Sequence, residues 1–404
     1  MAHLTPILLV LQSLGALQSA HDAADPDATV VKVNPDGTSY IDHEFHPFLP
    51  EMVYQSSGAV WTRTVDALSG LFSDADEDAV FVDLASSLQL TRNGPEYGWD
   101  SGGVSIFYNK SLMNGAQRIW RATPLAFGGF NIDVLSPGNA DRINQLPSQW
   151  SQGKTTWLVY GREPFEGQPA MITSAREDDF GFENENPVTE IVPGFAGFRW
   201  LRGTSMYTVT EAEGDHAGEV LLVDAATGDE RRITDDDFVK FDPYPWHAPE
   251  FQDRLCVAAI VDEKNIAVYV DFGGEFFTRI SVIEPPSETQ LEFAQSPEPF
   301  ISGNRSFISL TLADNNGNFF EQVNESEIWV YSIFESGPLS FARRFDDGLP
   351  GQVRHEAETL SGPKEVLLYY NLRKQDENGN FAGFDLYRVR TGLRPDPDAP
   401  TAQG

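Results

Sequence analysis

One structural plan recurs seven times along this chain: a short opening that often reads Pro-Glu-aromatic, a turn, an apolar strand, a polar loop, and a second strand ending near Thr-Gly or Arg. The openings are LPEMV around Pro50, PEYGW at Pro95, PSQWS at Pro147, GFRWL at Gly197, PEFQD at Pro249, PEPFI at Pro297 and HEAET at His355. The residue after proline, or its counterpart, is Glu51, Glu96, Ser148, Arg199, Glu250, Glu298 and Glu356. Self-similarity at roughly 40 to 50 residues is the period of propeller blades. Such a unit cannot bury its own faces, so the units must stack around an axis.

Composition and alternation make the strands legible. The second unit offers VSIFY and then RIWRA, and the third offers TTWLVY and then AMITSA. The fourth offers SMYTVT and EVLLVD, and the fifth LCVAAIV and IAVYVDF. FISLTL with EIWVYSI, and EVLLYY with FDLYRVR, complete the set. No stretch shows a sustained helical period. The chain therefore predicts an all-β fold, a seven-bladed β-propeller of four-stranded antiparallel blades. The last unit stops at Thr391-Gly392 without an outer strand of its own, and ATVVKV at 28–33 can supply it. The ring would then be closed by an N-terminal strand, which removes the exposed edge of an open ring.

DAATGDERRIT at 224–234, followed by WHAPEF at 246–251, resembles the TolB-type (PD40-type) propeller repeat. In that repeat a Thr-Gly-Glu-like turn and a Leu-Thr ending precede a Pro-x-Trp-Ser-Pro-Asp-Gly segment. The resemblance implies a propeller and export, and leaves the chemistry open because such folds host unrelated functions. WHAPEF is also similar to the Trp-Ala-Pro segment of five-bladed arabinanase-like glycosidases.

Charge narrows the partners. Lys and Arg number 28 against 61 Asp and Glu, a net charge of −33, so phosphate backbones and anionic lipid heads are repelled. No nucleic acid and no membrane insertion are expected, and a saline habitat would account for the acidity. A single cysteine, Cys256, excludes an intrachain disulfide framework. Residues 1–20, MAHLTPILLVLQSLGALQSA, have the apolar run and small-residue ending of a secretory signal peptide. Residues 21–392 then form a single propeller and 393–404 a flexible tail, in a secreted or periplasmic monomer.

Function is sought where the repeats converge. The opening residues Glu51, Glu96, Glu250, Glu298 and Glu356, with Ser148 and Arg199 at two departures, are expected to share one mouth of the central channel. Tyr108, Asn109, Tyr160, Arg162, Tyr370 and Asn371 end second strands near the same surface, and His46, His247 and His355 lie beside three openings. Clustered carboxylates need a cation, a proton or a ligand donor to compensate them. A divalent cation such as calcium is one candidate. DNNGN at Asp314 and DENGN at Asp376 carry the alternating acidic pattern of a calcium loop, but Asn-Gly also marks a tight turn.

Three functions fit. A binding propeller would present the acidic channel mouth to a glycan, peptide or partner protein. A carbohydrate-active enzyme, a glycoside hydrolase or polysaccharide lyase, would use Glu96, Glu250, Glu298, His247 or His355 as acid, base or nucleophile. In either, Glu51, Glu356, Arg199, Tyr108, Tyr160, Arg162 and Asn371 would hold the ligand. A metal-dependent enzyme is the third.

Overall fold

The computed structural model describes residues 30–395 except 73–78, 85–93, 101–102, 112–116, 136–143, 153–154, 163–168, 177–184, 192–196, 318, 320–321, 335 and 338. The expected signal peptide, 1–20, lies outside the described residues. Seven four-stranded antiparallel sheets form the blades of a β-propeller. Their innermost strands, in order, are Ile41–Phe45, Glu96–Asp100, Asn144–Gln152, Phe198–Trp200, Lys240–Ala248, Phe293–Ser302 and Arg354–Ser361. Among the described residues the one helical turn is a 3-10 turn at Pro249–Phe251. No helix among them is long and apolar enough to cross a membrane.

Closure works as the missing outer strand requires. Val31–Lys32 pairs antiparallel with Phe381–Arg390, Val31 opposite Arg388, and completes the seventh blade. Asn34 locks the junction: its Oδ1 accepts the Leu386 N–H at 2.7 Å and its Nδ2 donates to Asp385 Oδ1 at 3.1 Å. At the other end Leu393 is buried, and the Arg394 carbonyl accepts the Ser302 hydroxyl at 2.6 Å.

The core is divided into wedges between blades. Val53, Val60 and Val82 of blade one meet Ile106, Tyr108 and Ala122 of blade two. Equivalent clusters fill each following interface, through to Tyr40, Met52 and Tyr54 of blade one against Leu360, Leu367 and Tyr369 of blade seven. Each blade thus buries both faces only because it has two neighbours, which makes the ring cooperative.

Polar latches repeat at the same interfaces. Tyr108 donates to Asp83 of the preceding blade at 2.7 Å, Tyr269 to Asp236 at 3.1 Å and Tyr370 to Asp347 at 3.4 Å. Two inner strands begin with fully buried cations. Lys240 bonds Glu219 at 2.7 Å and Asp236 at 2.6 Å, and Arg354 pairs with Asp346 and Asp347. A buried cation without such partners would cost several kcal/mol, on the order of its effective desolvation penalty.

The inner strands share a further feature. Five of them carry a β-bulge, at Ile41/Glu44, Gln145/Ser148, Phe241/Tyr244, Gln295/Glu298 and His355/Glu358. Where it is described, the residue two places before the bulge's end has positive φ: Asp42 at 49°, Asp242 at 46°, Ser296 at 47° and Glu356 at 56°. A bulge re-aims the next side chain. Here the residues that follow it in four blades, Glu44, Tyr244, Glu298 and Glu358, come within reach of one another's charges.

Candidate functional site

The residue after each bulge, with its register equivalents in the two unbulged strands, defines the ring around the axis. It comprises Glu44 opposite Val53, Glu96 opposite Phe107, Ser148 opposite Val159, Arg199 opposite Thr208, Tyr244 opposite Ala258, Glu298 opposite Ser309 and Glu358 opposite Tyr369. Glu96, Ser148, Arg199 and Glu298 occupy the places the repeat alignment assigned them. Glu44, Tyr244 and Glu358 stand where the alignment had Glu51, Glu250 and Glu356.

Arg199 is the pivot of this constellation. Its guanidinium lies 3.7 Å from Asp242 Oδ1 and 5.6 Å from the centre of the Tyr244 ring, and it donates to the Phe198 carbonyl at 3.1 Å. Burial alone would lower its pKa, but Asp242, Glu298, Tyr244 and Glu96 hold it above the ordinary arginine value. The approach of blade five to blade four depends on Gly197. A Cβ there would fall 2.6 Å from the Asp242 Cα. The Thr208 hydroxyl tightens the same junction by donating to the Pro243 carbonyl at 2.6 Å.

The carboxyls respond in the opposite direction. Glu44 is pushed well above the usual carboxylate range by burial and by the charges of Glu298 and Glu96. Glu358 is pushed well above it by burial, Glu298 and Glu44. Glu298 is raised by burial, with Arg199 and a side-chain hydrogen bond to Glu358 holding it back. The hydrogen bond between the two side chains lowers Glu298 and raises Glu358. The Tyr244 phenol is raised by burial and by Glu298, so it stays neutral and can donate. All these groups are hemmed in by protein and half-buried.

Glu356 sits beside the ring at the seam between the last and first blades. Its Oε2 accepts the Asp42 N–H at 3.1 Å and the Asn371 amide at 2.5 Å, and its Oε1 lies 3.4 Å from His355 Nδ1. His355 is buried between Phe319, stacked at 5.1 Å, and Phe384 at 4.5 Å. His43, which no sequence signal singled out, is 1% exposed, and neither ring nitrogen has a hydrogen-bond partner. Burial lowers its pKa from 6.5 to about 4.

The remaining sequence candidates lie elsewhere. Glu51 is on the second strand of blade one, where it accepts the Tyr97 hydroxyl at 2.7 Å. Glu250 occupies the 3-10 turn after the inner strand of blade five and accepts from the Ser306 N–H and hydroxyl, both at 2.9 Å. His247 is exposed, its ring bonded to the Asp253 carbonyl at 2.8 Å. His46 accepts the backbone N–H groups of Phe48 and Leu49. Tyr108 serves the inter-blade latch, Tyr160 is buried in the wedge between blades two and three, and Arg162 pairs with Glu185 at 3.0 Å within blade three. Asp376, in one calcium-like loop, accepts the N–H groups of Asn378 and Asn380 at 2.8 Å, the pattern of a side-chain-closed turn.

No family model and no curated protein matches this chain. Solved structures do. An oligogalacturonate lyase in complex with manganese is 11% identical, covering 91% of this chain and 94% of that one at a TM-score of 0.51. Trypanosoma rangeli sialidase in complex with sialic acid is 12% identical at a TM-score of 0.45, over 89% of this chain and 59% of that one. A Bombyx mori GH32 beta-fructofuranosidase is 13% identical at a TM-score of 0.34, over 72% and 58%. This chain spans about 60% of the length of the sialidase structures. The likeness to the lyase is one of fold. Among the described residues no three His, Cys, Asp or Glu side chains are grouped to hold a metal ion.

Proposed function

We propose that this chain is an exported propeller that binds a ligand at the acidic mouth of its central channel, with a repeat of the TolB type. The observation that supports this reading is the axial ring itself. Six inner strands from six blades bring Glu44, Glu96, Arg199, Tyr244, Glu298 and Glu358 into one another's field around the axis, and four of these six are carboxyls. Inner strands that only had to pack would gain more from apolar or small residues, because every buried carboxyl costs desolvation or an uptake of protons. Carboxylate acceptors, a guanidinium and a neutral phenol together can bond a hydroxylated or amine-bearing molecule from several sides.

Carbohydrate cleavage is the second reading: the two carboxyls of a retaining glycosidase stand about 5 to 5.5 Å apart and those of an inverting one farther, and a hydrolase would draw its pair from Glu44, Glu96, Glu298 and Glu358.

A thermal-shift and glycan-array screen with wild type, Glu298→Gln and Glu358→Gln tests the proposal. The expected result is a ligand whose affinity falls at least about tenfold in both variants while both remain folded. If both variants bind every hit as wild type does, the channel mouth is not the site.

A further inference from the structure

Away from the axis, a cavity of about 480 Å³ opens beside the outer strand of blade four, Glu230–Arg232, and the turn that joins the last two strands of blade five. Its walls include Arg231, Arg232, Asp271, Gly273, Glu275 and Phe276. The turn is fixed from several sides. The Phe277 N–H donates to the Ile233 carbonyl of blade four at 2.8 Å, and Arg254 donates to the Asp271 carbonyl at 3.0 Å. Arg231 clamps it across the blade boundary, donating to the Gly274 and Glu275 carbonyls at 2.9 and 3.1 Å and lying 3.7 Å from Asp271 Oδ2. A Cβ on Gly273 would meet no atom within 4 Å, so the space beside the turn is open.

Two opposite charges on these walls are left over. Arg232 lies 5.7 Å from the centre of the Phe276 ring, has no ion-pair partner among the described residues, and keeps its Nε buried without an acceptor. In a chain with 61 acidic residues against 28 basic ones, a guanidinium would be expected to find a carboxylate. Asp271 is already taken, by Arg231 and by the Gly273 N–H at 2.8 Å. The carboxylate of the exposed Glu275 has no partner among the described residues either.

We infer that this cavity binds a free α-amino acid as its zwitterion, with the carboxylate on Arg232 and the ammonium on Glu275. A guanidinium presents paired N–H donors that match a carboxylate, and an ammonium presents three donors to a carboxylate acceptor. A ligand carrying both charges is neutral overall, so the field of a chain at −33 does not repel it as it repels a simple anion, while a simple cation would meet the two arginines. The volume lies in the usual range of small-molecule sites, roughly 300 to 1,000 Å³. The site is separate from the axial ring and does not depend on that ring holding a ligand.

Titration calorimetry at pH 7 with glycine, L-leucine, L-glutamine and L-phenylalanine tests the inference, followed by the N-acetyl and amide forms of whichever binds most tightly. The expected result is that at least one amino acid binds at millimolar concentration and that each single-charge form binds at least tenfold more weakly. Arg232→Gln and Glu275→Gln should each weaken binding at least tenfold. Lys364→Gln, which removes an exposed cation in blade seven, should leave it unchanged. Glu275→Gln alters an exposed side chain, so its melting temperature should match wild type, and it keeps the test decisive even where Arg232→Gln loses stability. The inference fails if no amino acid binds, if the N-acetyl or the amide form binds as tightly as the parent, or if Glu275→Gln binds as wild type does.

Discussion

Replacing His43 by leucine should make the protein less sensitive to acid without weakening it at neutral pH. His43 is 1% exposed, its two ring nitrogens have no partners, and its pKa is lowered from 6.5 to about 4 by burial. A histidine with a lowered folded-state pKa binds its proton more readily in the unfolded chain. Its contribution is therefore fully present above pH 6.5 and is lost as pH falls from 6.5 through 4. Each tenfold difference in proton affinity between the folded and unfolded chains is worth roughly 1.4 kcal/mol, so the full difference is about 3.4 kcal/mol. At pH 5 about 2 kcal/mol of that is already lost, and at pH 7 only about 0.2 kcal/mol. Leucine has no proton to take up and leaves no orphaned ring nitrogen, so at pH 7 the variant should lie within about 1 kcal/mol of wild type. Urea unfolding followed by tryptophan fluorescence at pH 7, 6, 5 and 4.5 gives the comparison. Taking the difference between the two proteins at each pH cancels every other titrating group, so that wild type should lose about 2 kcal/mol relative to His43→Leu between pH 7 and 5. A difference that stays constant over that range would refute the assignment of His43 as a buried neutral group.

The axial carboxyls carry the opposite sign. Their folded-state pKa values are raised, so their contribution is fully present below the unfolded value near 4.5 and is lost as pH rises; Glu358→Gln should raise the melting temperature at pH 8 and lose that advantage below pH 4.5, and equal shifts at both would disprove it. Gly197→Ala places a methyl 2.6 Å from the Asp242 Cα, so it should cost about 1 to 3 kcal/mol and displace Asp242 from Arg199; an unchanged melting curve would show that the blades have slack there. Arg354→Leu leaves Asp346 and Asp347 without their buried cation and should cost about 3 to 5 kcal/mol, read by denaturant titration. Starting the chain at residue 36 removes the Val31–Lys32 strand and the Asn34 lock, and the whole ring should melt earlier; a variant with wild-type melting would mean that closure does not depend on that strand.

The amino-acid sequence determined the repeat count, the all-β class and the closing strand, because each depends on local composition and on spacing along the chain. It also placed Glu96, Ser148, Arg199 and Glu298 at equivalent positions. Beyond that, the Pro-Glu opening misled, since the same pair of residues falls at three different heights in the blades: on the inner strand at Glu96 and Glu298, in a turn at Glu250, and on the second strand at Glu51. Counting back from the second strands, to the residue two places after Asp42, Asp242, Ser296 or Glu356, would have found Glu44, Tyr244 and Glu358. Register decides which residue reaches the axis, and register is set by hairpin length and by bulges, which local composition does not display. The charge states were decided by the tertiary structure alone. Glu44 and Glu358 are separated by the whole propeller in sequence, and only closure of the ring brings them into one another's field and buries them together.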